Sequence, residues 1–272
     1  MSSNWEDVVA GLDELSAAAD EGAAAIGNMQ QPSTLDAILH PTGRKLTILA
    51  GGDAHGNQAG LDWFYGVARE RQPQLICFLG DFVNRGPLDF IREALFDLRG
   101  LAPACYVIPG NWDPREMLIE LDHAAHDGMR NLHKHSAFCG GYAFAGMGGS
   151  IPTPRGDTPF EGAGDDGFAD PLRPYLPADV WLLHQPVSGF RDKTSGGANV
   201  GSGALRELWE EQARKPLLVL SGHIHEAGGV DNWQGTAFVN PGPLTAQGGY
   251  GPACAWIALD GDTVSVEEIK PE

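Results

Sequence analysis

One repeated pattern limits what this chain can fold into. A short apolar run ends in glycine or a tight polar turn, and a carboxylate, amide or imidazole follows at once. Residues 46–50 lead to Gly51-Gly52-Asp53-Ala54-His55, residues 75–79 to Gly80-Asp81, and residues 105–108 to Pro109-Gly110-Asn111. In the second half, residues 180–183 end at His184, and residues 217–220 at Ser221-Gly222-His223-Ile224-His225. Residues 236–239 run into Asn240-Pro241-Gly242-Pro243. Short apolar runs bounded by turn residues read as buried strands. Helical segments are expected between them at 61–71, 88–98 and 204–213. Strands alternating with helices predict an α/β fold with βαβ units and a largely parallel central sheet. Ligand sites in such sheets gather beyond the carboxyl ends of the strands. The polar residues of the pattern are therefore expected in one place.

The flanks carry other signals. Residues 253–259 and 263–269 surround Asp260-Gly261-Asp262, a hairpin signature. The glycine-rich stretch 140–167 reads as a long ordered loop beside the site. Residues 5–26 place Trp5, Val8, Val9, Leu12, Leu15 and Ala19 at helical spacing, with Gly27 and Asn28 to end the helix. Residues 1–45 are thus expected as a helical appendage to a main domain at 46–272. A homodimer contact is one role open to that helix.

Charge narrows the partners. The chain has 36 acidic against 18 basic residues, a net charge of −18. That argues against a nucleic-acid binder with a broad basic face, and against docking on an anionic membrane. A bound cation cluster would offset part of it. The apolar fraction of 42% suits a globular protein. Cys77, Cys105, Cys139 and Cys254 form no closely spaced pair, as expected of a reduced cytoplasmic protein. The acidic N-terminus does not read as a secretory signal, and no apolar run approaches the roughly 18 residues of a membrane span.

Asp53, His55, Asp81, Asn111, His184, His223 and His225 are the polar residues of the pattern. Their oxygen and nitrogen donors suit Mn, Fe, Zn and similar divalent ions. Asp53/His55 and His223/His225 stand two apart, a spacing that puts side chains on one side of an extended segment. In a loop leaving a strand, such pairs can converge on one ion or on two neighbours. Asp81 stands alone, as suits a carboxylate whose two oxygens bridge two metals. Asn111 offers a neutral carbonyl oxygen.

In order, Asp53-Ala54-His55, Gly80-Asp81, Gly110-Asn111-Trp112-Asp113, His184 and Gly222-His223-Ile224-His225 resemble the signature of the calcineurin-like metallophosphoesterases. The likeness spans about residues 46–269. Gly148-Gly149-Ser150, Thr153-Pro154, the stretch from Gly201 to Arg206, Glu226 and the stretch from Asn240 to Leu244 resemble its Icc-related branch. The resemblance implies a four-layer α/β/β/α sandwich with two divalent metal ions between the sheets. It implies that Asp53, His55 and His225 hold one ion, that Asn111, His184 and His223 hold the other, and that Asp81 bridges them. Asp81, Asn111 and His223 are then the core of the catalytic machinery. The implied activity is hydrolysis of a phosphodiester or small phosphate ester. A water between cations about 3.5–4 Å apart would lose its proton and attack phosphorus. Two rival readings are a non-catalytic metal-binding scaffold on the same fold and a protein Ser/Thr phosphatase.

Two positions depart from that pattern. The family often carries histidine, a leaving-group acid, where this chain has Trp112. Indole N–H donates a hydrogen bond but no proton. Activated esters and phosphodiesters are therefore expected to be better substrates than alkyl monoesters, and Trp112 could stack on a substrate ring. Asp113, which would orient that histidine, loses its task. Arg85, in Asn84-Arg85-Gly86, resembles a phosphate-contacting arginine of the Ser/Thr phosphatase branch, and Asn57, after His55-Gly56, also resembles that branch. His123, His126, His133 and His135 lie outside the signature and read as surface or structural residues.

Overall fold

The computed structural model describes residues 43–271 apart from 126, 127, 154, 155 and 157. The helix expected at 5–26 lies outside the described residues, as does nearly all of the expected appendage. In chain order the elements are β1 (Lys45–Gly51), α1 (Gln58–Arg71), β2 (Leu75–Phe78), α2 (Leu88–Arg99), β3 (Ala104–Val107), α3 (Met117–Ala124) and β4 (Met129–Asn131). Then come β5 (His135–Cys139), β6 (Tyr142–Met147), β7 (Val180–Leu183), α4 (Gly203–Glu211) and β8 (Leu218–Leu220). The chain closes with β9 (Gly229–Trp233), β10 (Thr236–Asn240), β11 (Cys254–Asp260) and β12 (Thr263–Ile269). No helix of the described residues is long and apolar enough to cross a membrane.

The strands form two six-stranded mixed sheets. The first runs β12-β11-β1-β2-β3-β4, with β1 to β4 parallel and β11 and β12 antiparallel. The second runs β5-β6-β7-β8-β10-β9, with its four inner strands parallel and both edges antiparallel. The parallel strands are thus shared between two sheets, which corrects the single central sheet read from the strand–helix alternation. A strand buried on both faces has the same apolar run whether helices or a second sheet cover it.

Alternation along the strands builds the layers. In β1, Leu46, Ile48 and Ala50 face the space between the sheets, where they meet Phe144, Val180, Leu182, Leu218 and Leu220. Leu49 faces the other way, with Ile76 and Phe78 of β2, onto α1, α2 and α3. On the second sheet Trp181, Leu183, Val219 and Phe238 face α4 and a 3-10 turn at Asp170–Tyr175. The result is helix, sheet, sheet, helix. Each large aliphatic side chain so buried contributes about 1.5–3 kcal/mol.

Two local features bear on the site. The hairpin of β11 and β12 forms, with Asp260 paired to Thr263. The glycine-rich stretch is not all loop, however: Gly140 and Gly141, at φ 58° and 81°, turn β5 into β6, and the loop begins only at Gly148. Two adjacent left-handed residues are what a tight hairpin turn requires, so these glycines build a strand pair.

Candidate metal centre

The loops after β1, β2 and β3 are laced together by backbone. Asp53 N–H donates to Gly80 O (2.8 Å), His55 N–H to Asp81 O (2.9 Å) and Gly56 N–H to Phe82 O (2.7 Å). The β2 and β3 loops approach so closely that only glycine fits. A Cβ on Gly80 would lie 2.0 Å from Gly110 N, and one on Gly110 would lie 2.0 Å from Asp81 Oδ1. This contact brings Asp81 beside Asn111.

Four of the seven ligand-type residues stand on left-handed rather than extended backbone. Asp53, His55, Asp81 and His223 have φ of 53°, 50°, 54° and 68°. Non-glycine residues in this left-handed region each cost about 1–3 kcal/mol, a strain that concentrates at functional sites. The shared side expected from a spacing of two is thus replaced by sharp turns. Asp53 and His55 still converge, whereas His223 and His225 part.

Two clusters result. In the outer one, ligand atoms of Asp53, His55 and His225 lie within 4.8 Å of one another. His55 Nε2 is 3.1 Å from His225 Nε2, and His225 Nε2 is 3.6 Å from Asp53 Oδ1. In the inner one, Asp81, His184 and His223 lie within the same limit. His184 Nε2 is 3.4 Å from Asp81 Oδ2 and 3.1 Å from Asn111 Oδ1. Asp81 Oδ2 is also 3.6 Å from His55 Nε2, so one oxygen faces both clusters. All seven residues singled out in the sequence meet here.

A second layer of contacts aims these side chains. His184 Nδ1 donates to Leu79 O (2.7 Å), which turns Nε2 toward Asp81. Asn111 Nδ2 donates to Thr158 Oγ1 (3.4 Å), which leaves Oδ1 toward His184. Trp112 N–H donates to Asp81 Oδ1 (2.8 Å), and His223 N–H to Asp53 Oδ2 (3.1 Å). Asn240 Nδ2 donates to Ile224 O (2.9 Å), and Leu244 N–H to Gly52 O (2.9 Å), so the Asn240–Leu244 motif, with Thr245 N–H to Asp53 O (3.0 Å) just after it, braces the turns that carry Asp53 and His223. Asn57 donates to Leu244 O (2.9 Å) in the same brace.

Asp113 has a task that sequence reasoning missed. Its buried carboxylate accepts from Asp81 N–H (2.8 Å), Gly110 N–H (2.8 Å) and Val83 N–H (3.3 Å). It pins the two ligand loops to each other. Its place directly after Asn111-Trp112 was the available signal.

The buried carboxylates and imidazoles of the centre shift one another. Asp53 and Asp81 are both about 1% exposed, with imidazoles beside both and the Asp113 carboxyl beside Asp81. Burial would raise Asp53, but His225, His184 and His55 hold its carboxyl well below the usual range. Burial would lower His184, but Asp81 and Asp53 outweigh it and hold the ring at about 9. Burial and the charge of His184 push His223 down to about 4. Burial and the charge of Asp81 raise Asp113 to about 7, against its backbone donors. The carboxylates thus draw a proton to the place where a cation would sit. Carboxylate, amide and imidazole donors around two buried negative charges fit a pair of divalent first-row ions.

Trp112 borders this centre through Asp81, and Arg85 adjoins Trp112. Arg85 N–H donates to Trp112 O (3.2 Å), and its guanidinium lies 5.4 Å from the indole centroid. The remaining histidines stand elsewhere. His133 accepts from Gly148 N–H at Nδ1 (2.9 Å), His135 Nδ1 donates to His133 O, His123 lies on α3, and His126 is outside the described residues.

The calcineurin-like phosphoesterase family model matches residues 46–227. No curated protein sequence matches the chain. Among solved structures, the TT1561 protein of Thermus thermophilus is similar, with TM-score 0.61 and 21% identity over 82% of this chain and 98% of that one. A structure described as a novel archaeal phosphodiesterase gives TM-score 0.51 and 13% identity over 83% of this chain and 100% of that one. A dimetal phosphatase from Danio rerio gives 0.51 and 12% over 84% and 99%. At these identities the likeness is one of fold.

Proposed function

We propose that this chain, which belongs to the calcineurin-like phosphoesterase family, is a dinuclear metal-dependent phosphoesterase that favours phosphodiesters over alkyl monoesters. The observation that carries this reading is Asp81 Oδ2, 3.6 Å from His55 Nε2 and 3.4 Å from His184 Nε2. In this reading Asp53, His55 and His225 would hold one ion, and Asn111, His184 and His223 the other, with Asp81 between them. Mn, Fe and Zn all suit these donors. Such an ion pair, when bound, supplies Lewis-acid activation of water and neutralises charge on a phosphate.

The chain's own residues then position and select. Leu79 O and Thr158 orient His184 and Asn111, so little reorganisation accompanies binding. Trp112 offers a flat ring and an N–H donor, but no proton for a leaving group. Substrates whose leaving group departs as a stable anion therefore gain most, and a small phosphorylated molecule with an activated diester fits best. Arg85, beside the indole, can present two parallel donors to phosphate oxygens.

The test uses metal-stripped protein with Mn, Fe, Zn, Ni and Mg added back singly. At least one transition metal is expected to restore turnover of bis(p-nitrophenyl) phosphate, about tenfold or more above p-nitrophenyl phosphate. A metal that raises only the melting temperature would overturn this reading in favour of a scaffold. Preference for phosphopeptides would overturn it in favour of a Ser/Thr phosphatase.

A further inference from the structure

One arginine, Arg115, borders two cavities. The first, about 410 Å³, is bounded by Arg85, Pro114, Arg115, Thr158 and Pro159. Because Thr158 accepts from the Asn111 amide, this cavity begins one side chain away from a candidate metal ligand. The second, also about 410 Å³, has Arg115, Leu118, His133, Lys134, Phe160 and Phe168 in its walls.

The second cavity has flat walls and neutral donors. The Arg115 guanidinium lies 5.7 Å from the Phe160 ring centroid, and the His133 ring meets Phe160 edge-on at 5.7 Å. His133 takes a backbone hydrogen at Nδ1, so its neutral ring carries its own proton on Nε2. Glu161 and Asp166 border this cavity too, and Glu161 is engaged by the Thr158 hydroxyl (3.1 Å).

A net charge of −18 repels anions at long range, so an anionic ligand needs local cations. Among the described residues, the ionisable ones lining the first cavity are both arginines.

We propose that these cavities receive the half of the substrate beyond the scissile phosphate: a second anionic group at Arg115, then a flat aromatic or heterocyclic ring between Phe160 and Phe168. The inference rests on the phosphoesterase reading for the position of the scissile phosphate. It makes Arg115 a specificity-determining residue and the substrate class a diphosphate diester, in which the reacting phosphate bears one alcohol and its neighbour bears the ring-bearing one. The phosphate that reacts lies at the metal centre, its neighbour beside Thr158, and the ring farthest out.

Calorimetric titration of the full metal-loaded chain with ADP, AMP and inorganic pyrophosphate separates the two subsites. ADP has both a second phosphate and a ring, AMP lacks the former, and pyrophosphate lacks the latter. ADP is expected to bind about tenfold more tightly than either. Arg115→Gln is expected to bring ADP to the level of AMP, and Phe168→Leu to bring it toward pyrophosphate. Arg69→Gln removes the same charge from the exposed side of α1 and is expected to leave ADP affinity within about twofold. Melting temperature and bound metal are measured for each variant, so a folding defect is not read as lost binding. ADP binding no tighter than AMP, or unmoved by Arg115→Gln, would overturn the proposal. Arg115-dependent ADP binding without turnover of bis(p-nitrophenyl) phosphate by any metal would support the subsites and overturn the catalytic reading. Turnover with Arg115-independent ADP binding would overturn the subsites alone.

Discussion

The inner and outer clusters of the candidate metal centre use the same donor types but differ in how firmly the fold holds them. In the inner cluster His184 and Asn111 are fully buried, and each is aimed by a contact on its far side, to Leu79 O and to Thr158 Oγ1. In the outer cluster His55 Nδ1 is buried with no hydrogen-bond partner among the described residues, and the His225 side chain is 21% exposed. His225 also starts a short 3-10 turn, whereas His184 directly follows a central strand. Contacts behind a ligand fix its ring before an ion arrives and typically raise metal affinity by about 10–100-fold. The difference teaches that one dinuclear site can contain a preformed half and a half that the ion itself must complete.

The largest expected effect tests the residue shared by both halves. Asp81→Asn keeps the Oδ1 acceptor for Trp112 N–H but removes the charge that faces both clusters. Turnover is expected to fall by about 10³ or more, with both ions lost in metal analysis. If metal content survives unchanged, the two clusters do not depend on a common bridge.

An intermediate effect separates the halves. Metal titration of the stripped protein is expected to show two steps, about tenfold or more apart. His225→Ala should remove only the weaker step and leave one tightly held ion. His184→Ala should remove the tighter one. Two equal steps in the unmodified protein would break the comparison.

The smallest effect concerns the brace behind the inner half. Asp113→Asn keeps one oxygen for Asp81 N–H and Gly110 N–H but sets an NH2 against Val83 N–H, which loses its acceptor. A stability loss of about 1–3 kcal/mol in urea unfolding is expected, since a buried donor is left poorly paired. The tighter metal step should weaken and the weaker one hold. Equal weakening of both would show that Asp113 supports the whole centre rather than its inner half.

Much of this was legible before any coordinates. Runs such as residues 46–50 and 180–183 are apolar on both faces, and that alone marks a buried strand. Each polar residue at the end of such a run comes to the same rim, because parallel strands share a direction. The β5–β6 hairpin was not legible, since its alanines and glycines resemble loop composition. Asp113 was read as having lost a role because its obvious partner, a histidine, is absent at Trp112. Its actual partners are backbone N–H groups, which no residue identity advertises.

The sequence by itself determined the apolar buried strands, the polar residues at their ends and the donor chemistry, because these depend on local hydrophobicity and side-chain type. Only the tertiary structure decided that Asp113 ties the Asp81 loop to the loop of Gly110 and Asn111, that the stretch from Asn240 braces the turns of Asp53 and His223, and that Arg115 links two cavities. Those facts depend on which distant turns meet. They meet through close backbone approaches, such as Gly80 against Gly110, and through left-handed turns at Asp53, His55, Asp81 and His223. The packing of both sheets holds this strained geometry in place, so no single segment of the chain encodes it.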